Sequence, residues 1–360
     1  MFLVARPSLT RSGIGAVATM AGPGLLLIGF FLILPFFLAL AFTFTDQRLI
    51  SPNPTSFVGL ENYDRLLHVR VVSLEPEKAD DGSVKLDDGG VPVFPKLRSV
   101  LRADRDLRRY QPLFEIDRGN VRTYILSQDP VFWRSLANTM LFALIVVPLQ
   151  CGMALGMALL VNRAIAGRNF FRTLYFSPVV TSMVVVSIVW SFLFNNDQGL
   201  LNELLGTLSN GRIGPIRWLG EALVIPSIAV MSAWQGAGFQ MLIFLAGLQG
   251  ISSELYDAAA VDGANRWQTF RNVTLPGLRN TTIFVVISTT ILAFGLFTQV
   301  DVMTRGGPND ASSTVIYHMV RTGFREQNIG YGSTISVVYF LLVLAVALVQ
   351  RRLIDREKQP

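Results

Sequence analysis

Residues 252–270 read SSELYDAAAVDGANRWQTF, and the fold turns on how this stretch is placed. Ser252 or Ser253 can cap a helix, because a hydroxyl accepts a hydrogen bond from an orphaned N–H of the first turn. Glu254 and Asp257 then lie near the positive end of the helix dipole, where carboxylates are favoured. Ala258, Ala259 and Ala260 are strong helix formers, and Gly263 permits a sharp turn or a close backbone approach. Trp267, Phe270 and Val273 follow at helical spacing, and Pro276 sits where a new helix can begin. The spacing predicts a short helix, a turn, and a second helix leading into the apolar run beyond. Two readings of the short helix stand: its small alanines dock closely against another protein, or it is an interfacial helix packed on its own bundle.

The flanks of that stretch are long apolar runs, 222–249 before it and 280–301 after it. Four more occur at 22–44, 136–161, 173–195 and 333–350. A helix needs about 20 apolar residues to cross a bilayer, so six spans are predicted. Composition agrees. Of 360 residues 51% are hydrophobic and 16% charged, against about 25% charged in a soluble domain. The first run follows Arg6 and Arg11 but is far longer than a signal-peptide core of roughly 7–15 residues, so it reads as a retained span.

Orientation follows from the short loops. Arg6 and Arg11, then Arg163, Arg168 and Arg172, then Arg266, Arg271 and Arg279, then Arg351, Arg352, Arg356 and Lys358 all fall on one face. The opposite loops, 196–221 and 302–332, hold only Arg212, Arg217, Arg305, Arg321 and Arg325. The positive-inside rule therefore predicts both termini in the cytoplasm. The expected layout is a cytoplasmic tail at 1–21, the first span at 22–44, an external segment at 45–134, a core of five further spans at 135–350 containing the cytoplasmic loop 250–279, and a cytoplasmic tail at 351–360. The net charge of +6 is accounted for by these flanks, and no basic stripe interleaved with aromatics suits nucleic acid.

The external segment is the least membrane-like part. Between Asp46 and Arg134 lie 14 basic and 14 acidic residues, half of all the charged side chains. Residues 75–90 are acidic and turn-rich, and 96–109 are basic. Val93, Phe94, Leu97, Val100, Leu101, Leu107, Tyr110, Leu113 and Phe114 could supply a small core. A folded subdomain and a partly ordered loop both remain open, since a unit of about 60 residues without disulfides is marginal.

The span interiors carry no Asp, Glu, Lys or Arg, and Asp301 lies only at the outer end of the fifth run. Ion-coupled transporters usually need an ionisable residue at membrane depth, so this argues against them. The polar groups inside are neutral, among them Asn138, Gln150, Ser232, Gln235, Gln240, Thr289 and Thr290. Most suit helix–helix hydrogen bonds, and those facing a shared cavity would suit an uncharged, hydroxyl-rich solute. No phosphate-binding G-x-x-x-x-G-K-[ST] loop and no G-x-S-x-G elbow is present. The single Cys151 cannot form an internal disulfide, and His68 and His318 show no partner at useful spacing for catalysis or metal binding.

Tyr256-Asp257-Ala258-Ala259-Ala260-Val261-Asp262-Gly263-Ala264, followed by Phe270 and Leu275-Pro276, closely resembles the EAA loop of ABC-importer permease subunits. Asp257 stands where Glu is usual, keeping the charge with a shorter reach. Further similarity lies in Phe57-Val58-Gly59-Leu60-Glu61-Asn62-Tyr63, Asp129-Pro130-Val131-Phe132-Trp133, Gly167-Arg168-Asn169-Phe170-Phe171-Arg172 and Met303-Thr304-Arg305-Gly306-Gly307-Pro308. It covers about 21–72 and 128–352 and points to sugar importers of the maltose-transporter type; the stretch 69–127 is the departure.

The resemblance implies the type I ABC importer permease fold in a bacterial inner membrane, with an external insertion between helices 1 and 2. It implies a second permease, two ATPase copies that bind ATP and magnesium, and an external substrate-binding protein which the insertion would touch. This chain would bind no cofactor and catalyse nothing. ATPase coupling would fall to Glu254, Tyr256, Asp257, Ala258, Ala259, Asp262, Gly263 and Ala264. The substrate path would include Ser232, Trp234, Gln235, Gly236, Phe239 and Thr289. A non-sugar solute such as glycerol phosphate is the near alternative, and an ion-coupled secondary transporter the far one.

Overall fold

The computed structural model describes residues 11–78, 83–87, 89–119, 121–163 and 166–356, with side chains between 19 and 352. The expected roles of Arg6 and Lys358 lie outside these residues. Helix α1 runs over 11–42, widening through a π-helical turn at Gly29–Ile33 ahead of Pro35, whose ring crowds the preceding turn. A short helix α2 (Glu61–Leu67) leads to strand β1 (Val69–Leu74), helix α3 (Leu97–Ala103), and strands β2 (Gln111–Asp117) and β3 (Arg122–Ser127).

The strands form an antiparallel sheet in the order β1-β3-β2, with Ser127 opposite both Val69 and Gln111. Leu101, Leu107, Tyr110 and Leu126 are buried beneath it. Much of the segment that sequence left between subdomain and loop is therefore folded. Three of its core residues come from the expected apolar supply; Phe114 does not join them and lies exposed on the edge strand.

β3 feeds directly into α4 (Pro130–Asn162). Asp129 caps that helix, its Oδ1 accepting from Phe132 N–H at 2.9 Å, with Pro130 in the first turn where no N–H is needed. The third apolar run is not one straight span. It forms α5 (Arg168–Val180) and α6 (Met183–Leu193), bent by 96°, because Pro178 removes a backbone donor and Thr181 turns extended. α7 (Leu200–Leu208) precedes the central helix α8 (Val224–Gln249).

After α8 come α9 (Ser253–Val261), α10 (Arg266–Gly277) and α11 (Arg279–Phe294), the last two bent by 65°. Thus the fifth run also breaks: α11 stops at Gly295 and the chain restarts as α12 (Thr298–Met303). Helix α13 (Val315–Val320) and the long α14 (Ile329–Arg356) complete the chain. Among the described residues four helices are long and apolar enough to cross a membrane, and up to six if each bent pair is one span.

α8 is the most enclosed span and α1 the least, with none of its apolar window buried. Glycines let α8 sit close to its neighbours, as small residues do in membrane helix pairs. A Cβ at Gly238 would collide with the Tyr175 carbonyl of α5, and one at Gly236 with the Gln150 amide of α4.

One buried polar knot was hidden in the sequence. Asp129 Oδ2 accepts from Tyr331 Oη at 2.7 Å and pairs with His318 Nε2 at 2.9 Å, joining α4, α13 and α14. His318 thus has an acid partner after all, 189 positions away in the chain. Asp301 is likewise engaged, forming an ion pair with Arg325.

Candidate functional site

A cavity of about 330 Å³ lies beside α8, walled by α4, the α5–α6 break, and α11 with the turn into α12. Ser232, Gln235, Gly236 and Phe239 recur at helical spacing, so one face of α8 presents all four to it. Thr289 reaches it from α11. Five of the six expected path residues therefore share one space. Trp234 does not: it lies on another face of α8, 41% exposed, with its ring 5.5 Å from that of Trp190.

Three more glutamines line the same walls. Gln240 Nε2 donates to Thr289 Oγ1 at 3.2 Å, and Gln299 Nε2 donates to Ser232 Oγ at 3.3 Å. The Gln240 Oε1 acceptor is buried without a partner, a costly arrangement for an amide oxygen. Gln235 Nε2 reaches the Pro178 carbonyl at 3.4 Å, tying α8 to the break in the third span. Gln150 and Gln240 stand out as neutral polar residues within apolar runs; Gln299 lies in the fifth run as well, but nothing in the pattern shows that the turn after Gly295 aims it inward. The lining holds no charged side chain. It can exchange hydrogen bonds with hydroxyls and offer the Phe142 and Phe239 rings to an apolar face.

The second place where expected residues gather is α9. Ser252 Oγ caps it, accepting from Glu254 N–H at 3.3 Å. Gly263 adopts φ +72°, the left-handed conformation that closes the helix, and Ala264 N–H bonds back to the Ala259 carbonyl at 2.9 Å. Asn265 and Gln268 then form a reciprocal cap on α10. Tyr256 shares a hydrogen bond of 3.2 Å with Thr274, fastening α9 to the α10 segment.

No residue of α9 is buried. Glu254, Asp257, Ala258, Asp262 and Gly263 are exposed, while Tyr256, Ala259 and Ala264 are half-buried. Val261 is 88% and Trp267 65% exposed, and a groove of about 390 Å³ runs between the two helices past Ala258, Ala259 and Asp262. The helix therefore stands off the bundle, with an apolar and acidic face turned outward. Among the described residues no group of three or more His, Cys, Asp or Glu is placed to hold a metal.

Residues 130–359 match the family described as binding-protein-dependent transport system inner membrane component. The lactose transport system permease protein LacF of Rhizobium radiobacter is 36% identical over 266 residues, covering 72% of this chain and 87% of that protein. The sn-glycerol-3-phosphate transport system permease protein UgpA of Brucella abortus is 32% identical over 238 residues, covering 65% and 79%. In fold, the chain is similar to a subunit of the bacterial alginate ABC transporter crystallised with an alginate pentasaccharide-bound periplasmic protein. The TM-score is 0.57 and the identity 20%, over 63% of this chain and 79% of that one.

Proposed function

The chain belongs to the binding-protein-dependent transport system inner membrane components, and from that premise we propose that it is the permease subunit of an ATP-driven importer for a neutral sugar or oligosaccharide. The observation that carries the solute class is the cavity beside α8, whose largely apolar walls present amides, hydroxyls and two aromatic rings and no charge. A phosphate ester such as glycerol phosphate would enter it without a cation to meet it, at a high desolvation cost. The relative with that solute leaves the alternative open to the same experiment.

In this reading six spans cross the inner membrane with both termini cytoplasmic, and the sheet at 69–127 stands outside, where it meets the binding protein. α9 lies in the cytoplasm and fits against a partner ATPase, which binds ATP and magnesium. Its exposed carboxylates, small alanines and apolar rim support that role. A second permease completes the channel.

The test is purification of the tagged chain from its native membrane in mild detergent. A second permease and an ATPase should accompany it, and sugar-loaded binding protein should stimulate ATP hydrolysis. Recovery of the chain alone from several mild detergents, with uptake driven by an ion gradient, would overturn the proposal. Stimulation by glycerol phosphate and by no sugar would replace the solute.

A further inference from the structure

A cleft of about 590 Å³ opens between the foot of the sheet and the ends of α1 and α14, apart from both the α8 cavity and α9. Four arginines line it: Arg48 from the segment after α1, Arg65 from α2, and Arg108 and Arg109 from the turn before β2. The two carboxylates present are already committed. Asp46 accepts from the Ser56 N–H and hydroxyl, each at 2.6 Å, and Glu61 pairs with Arg109 at 3.3 Å. Among the described residues Arg48, Arg65 and Arg108 pair with no carboxylate. The Arg65 guanidinium lies 4.2 Å over the Tyr331 ring, a stacking that leaves its in-plane N–H donors free.

The spans set the height of this cleft. Asp46 and Arg48 follow closely on the end of α1 at Phe42, and Asn328 on its wall directly precedes the first residue of α14. That is where two spans leave the apolar layer, the level of lipid headgroups. α1, beside it, has none of its apolar window buried. Guanidinium groups match phosphate oxygens in pairs, and three without a carboxylate partner converge here; Arg108 commits only its Nε, to the Arg102 carbonyl at 3.3 Å, leaving its two terminal nitrogens. Four guanidinium groups against two carboxylates leave the cleft net positive, so a net-negative lipid is preferred over a zwitterionic one.

We propose that this arginine cleft holds the phosphate of an anionic phospholipid at the membrane surface on the sheet side of the bundle. The proposal goes beyond the transport reading and depends only on the chain spanning a membrane.

The experiment is native mass spectrometry of the intact assembly in non-ionic detergent, with thermal melting after adding phosphatidylglycerol, phosphatidylcholine or inorganic phosphate. Phosphatidylglycerol should be retained and raise the melting temperature, with phosphatidylcholine well behind. Arg48→Gln, Arg65→Gln and Arg108→Gln should each weaken retention by about tenfold, the loss expected for one charge-assisted hydrogen bond. Arg98→Gln, on α3 away from the cleft lining, should leave it unchanged. Equal stabilisation by inorganic phosphate would assign the site to a free anion and overturn the lipid source. Equal retention of the two lipids, or no retention of either while the arginine variants lose the external binding protein, would overturn the proposal too. If the variants fail to assemble, the lipid selectivity of the unaltered assembly decides alone.

Discussion

Two glycines two residues apart on α8 should answer the same substitution in opposite ways. The three atoms nearest a Cβ at Gly236 all belong to the Gln150 side chain, with Nε2 closer than any real contact and Cδ at 3.0 Å. That amide ends a flexible side chain beside an open cavity, so it can swing aside. Alanine also favours helix over glycine by about 0.5–1 kcal/mol, leaving Gly236→Ala near neutral in stability. Its cost falls on the cavity, because the methyl and the displaced amide take room from about 330 Å³ and remove one hydrogen-bonding position. That loss is worth about 1 kcal/mol, or roughly fivefold in KM for the transported solute. At Gly238 the Cβ meets the Tyr175 carbonyl and, at 3.1 Å, the Phe176 Cα, which are backbone. Nothing there can swing; α5 and α8 must part, costing about 1–3 kcal/mol. Melting followed by size exclusion, alongside uptake into proteoliposomes, separates the two. Gly238→Ala should melt several degrees lower, and Gly236→Ala should melt normally but transport poorly. Equal losses of stability would refute the contrast between side-chain and backbone neighbours, and unimpaired uptake by Gly236→Ala would remove this wall from the solute path.

Gly263→Val has open space for its side chain within this chain, so its own cost is the left-handed backbone, about 1–2 kcal/mol. It should insert in the membrane and melt no lower than Gly238→Ala while losing binding-protein-stimulated ATP hydrolysis; unaltered stimulation counts against α9 as the ATPase contact. Burial raises the pKa of Asp129, but its hydrogen bonds from His318, Tyr331 and the Phe132 N–H outweigh that and hold it below the ordinary 3.8. A depressed carboxylate stabilises the fold above its ordinary pKa, and that share is lost as pH falls through the folded value. The protein should therefore melt progressively lower below about pH 4, while Asp129→Asn, stranding a buried histidine, should lose about 3 kcal/mol at pH 7 and show a flatter acid limb. An identical acid limb in that variant would assign the effect to other carboxylates. Leu126→Ala empties a fully buried position under the sheet and should cost about 2–5 kcal/mol locally. Limited proteolysis should then cut within 69–127 while leaving the spans intact, and cleavage at the rate of the unaltered chain would show that the sheet does not depend on this core.

Sequence reading worked where one segment carries its own pattern. The caps and turn of 252–270 are local, so Ser252, Gly263 and the helix–turn–helix order could be read from spacing alone, and the structure has them. It failed where partners are distant. Nothing near Asp129 announces His318 or Tyr331, since their meeting depends on how three helices assemble. The breaks in the third and fifth runs were missed for another reason: hydropathy is blind to direction, so an apolar run bent by 96° looks like a straight one. Trp234 suits the path by its stacking ring alone, yet helical phase puts it away from Ser232, Gln235 and Phe239. Gln299 illustrates the converse, a residue made useful only by a break that the pattern could not show.

Those breaks also bear on how α9 and the cavity communicate. α10 passes into α11 through a bend of 65° at Leu278, whose side chain is fully buried. A closely packed interior does not deform gradually, so in the proposed coupling a tilt of α9 and α10 about that point would pass to α11 as a rigid displacement. The first cavity residue it moves along α11 is Thr289, whose link to α8 is the hydrogen bond from Gln240. Across the same cavity, Gln235 reaches the Pro178 carbonyl at the α5–α6 break, an oxygen that also accepts from the Thr181 N–H. α8 is thus tied on either side to a bent element by a single, long, neutral hydrogen bond. Each such bond contributes only about 1 kcal/mol, little enough to be exchanged for a solute hydroxyl when the bends change angle. An apolar wall would offer no exchange and a buried ion pair would resist it, so amides at these positions suit the proposed solute path.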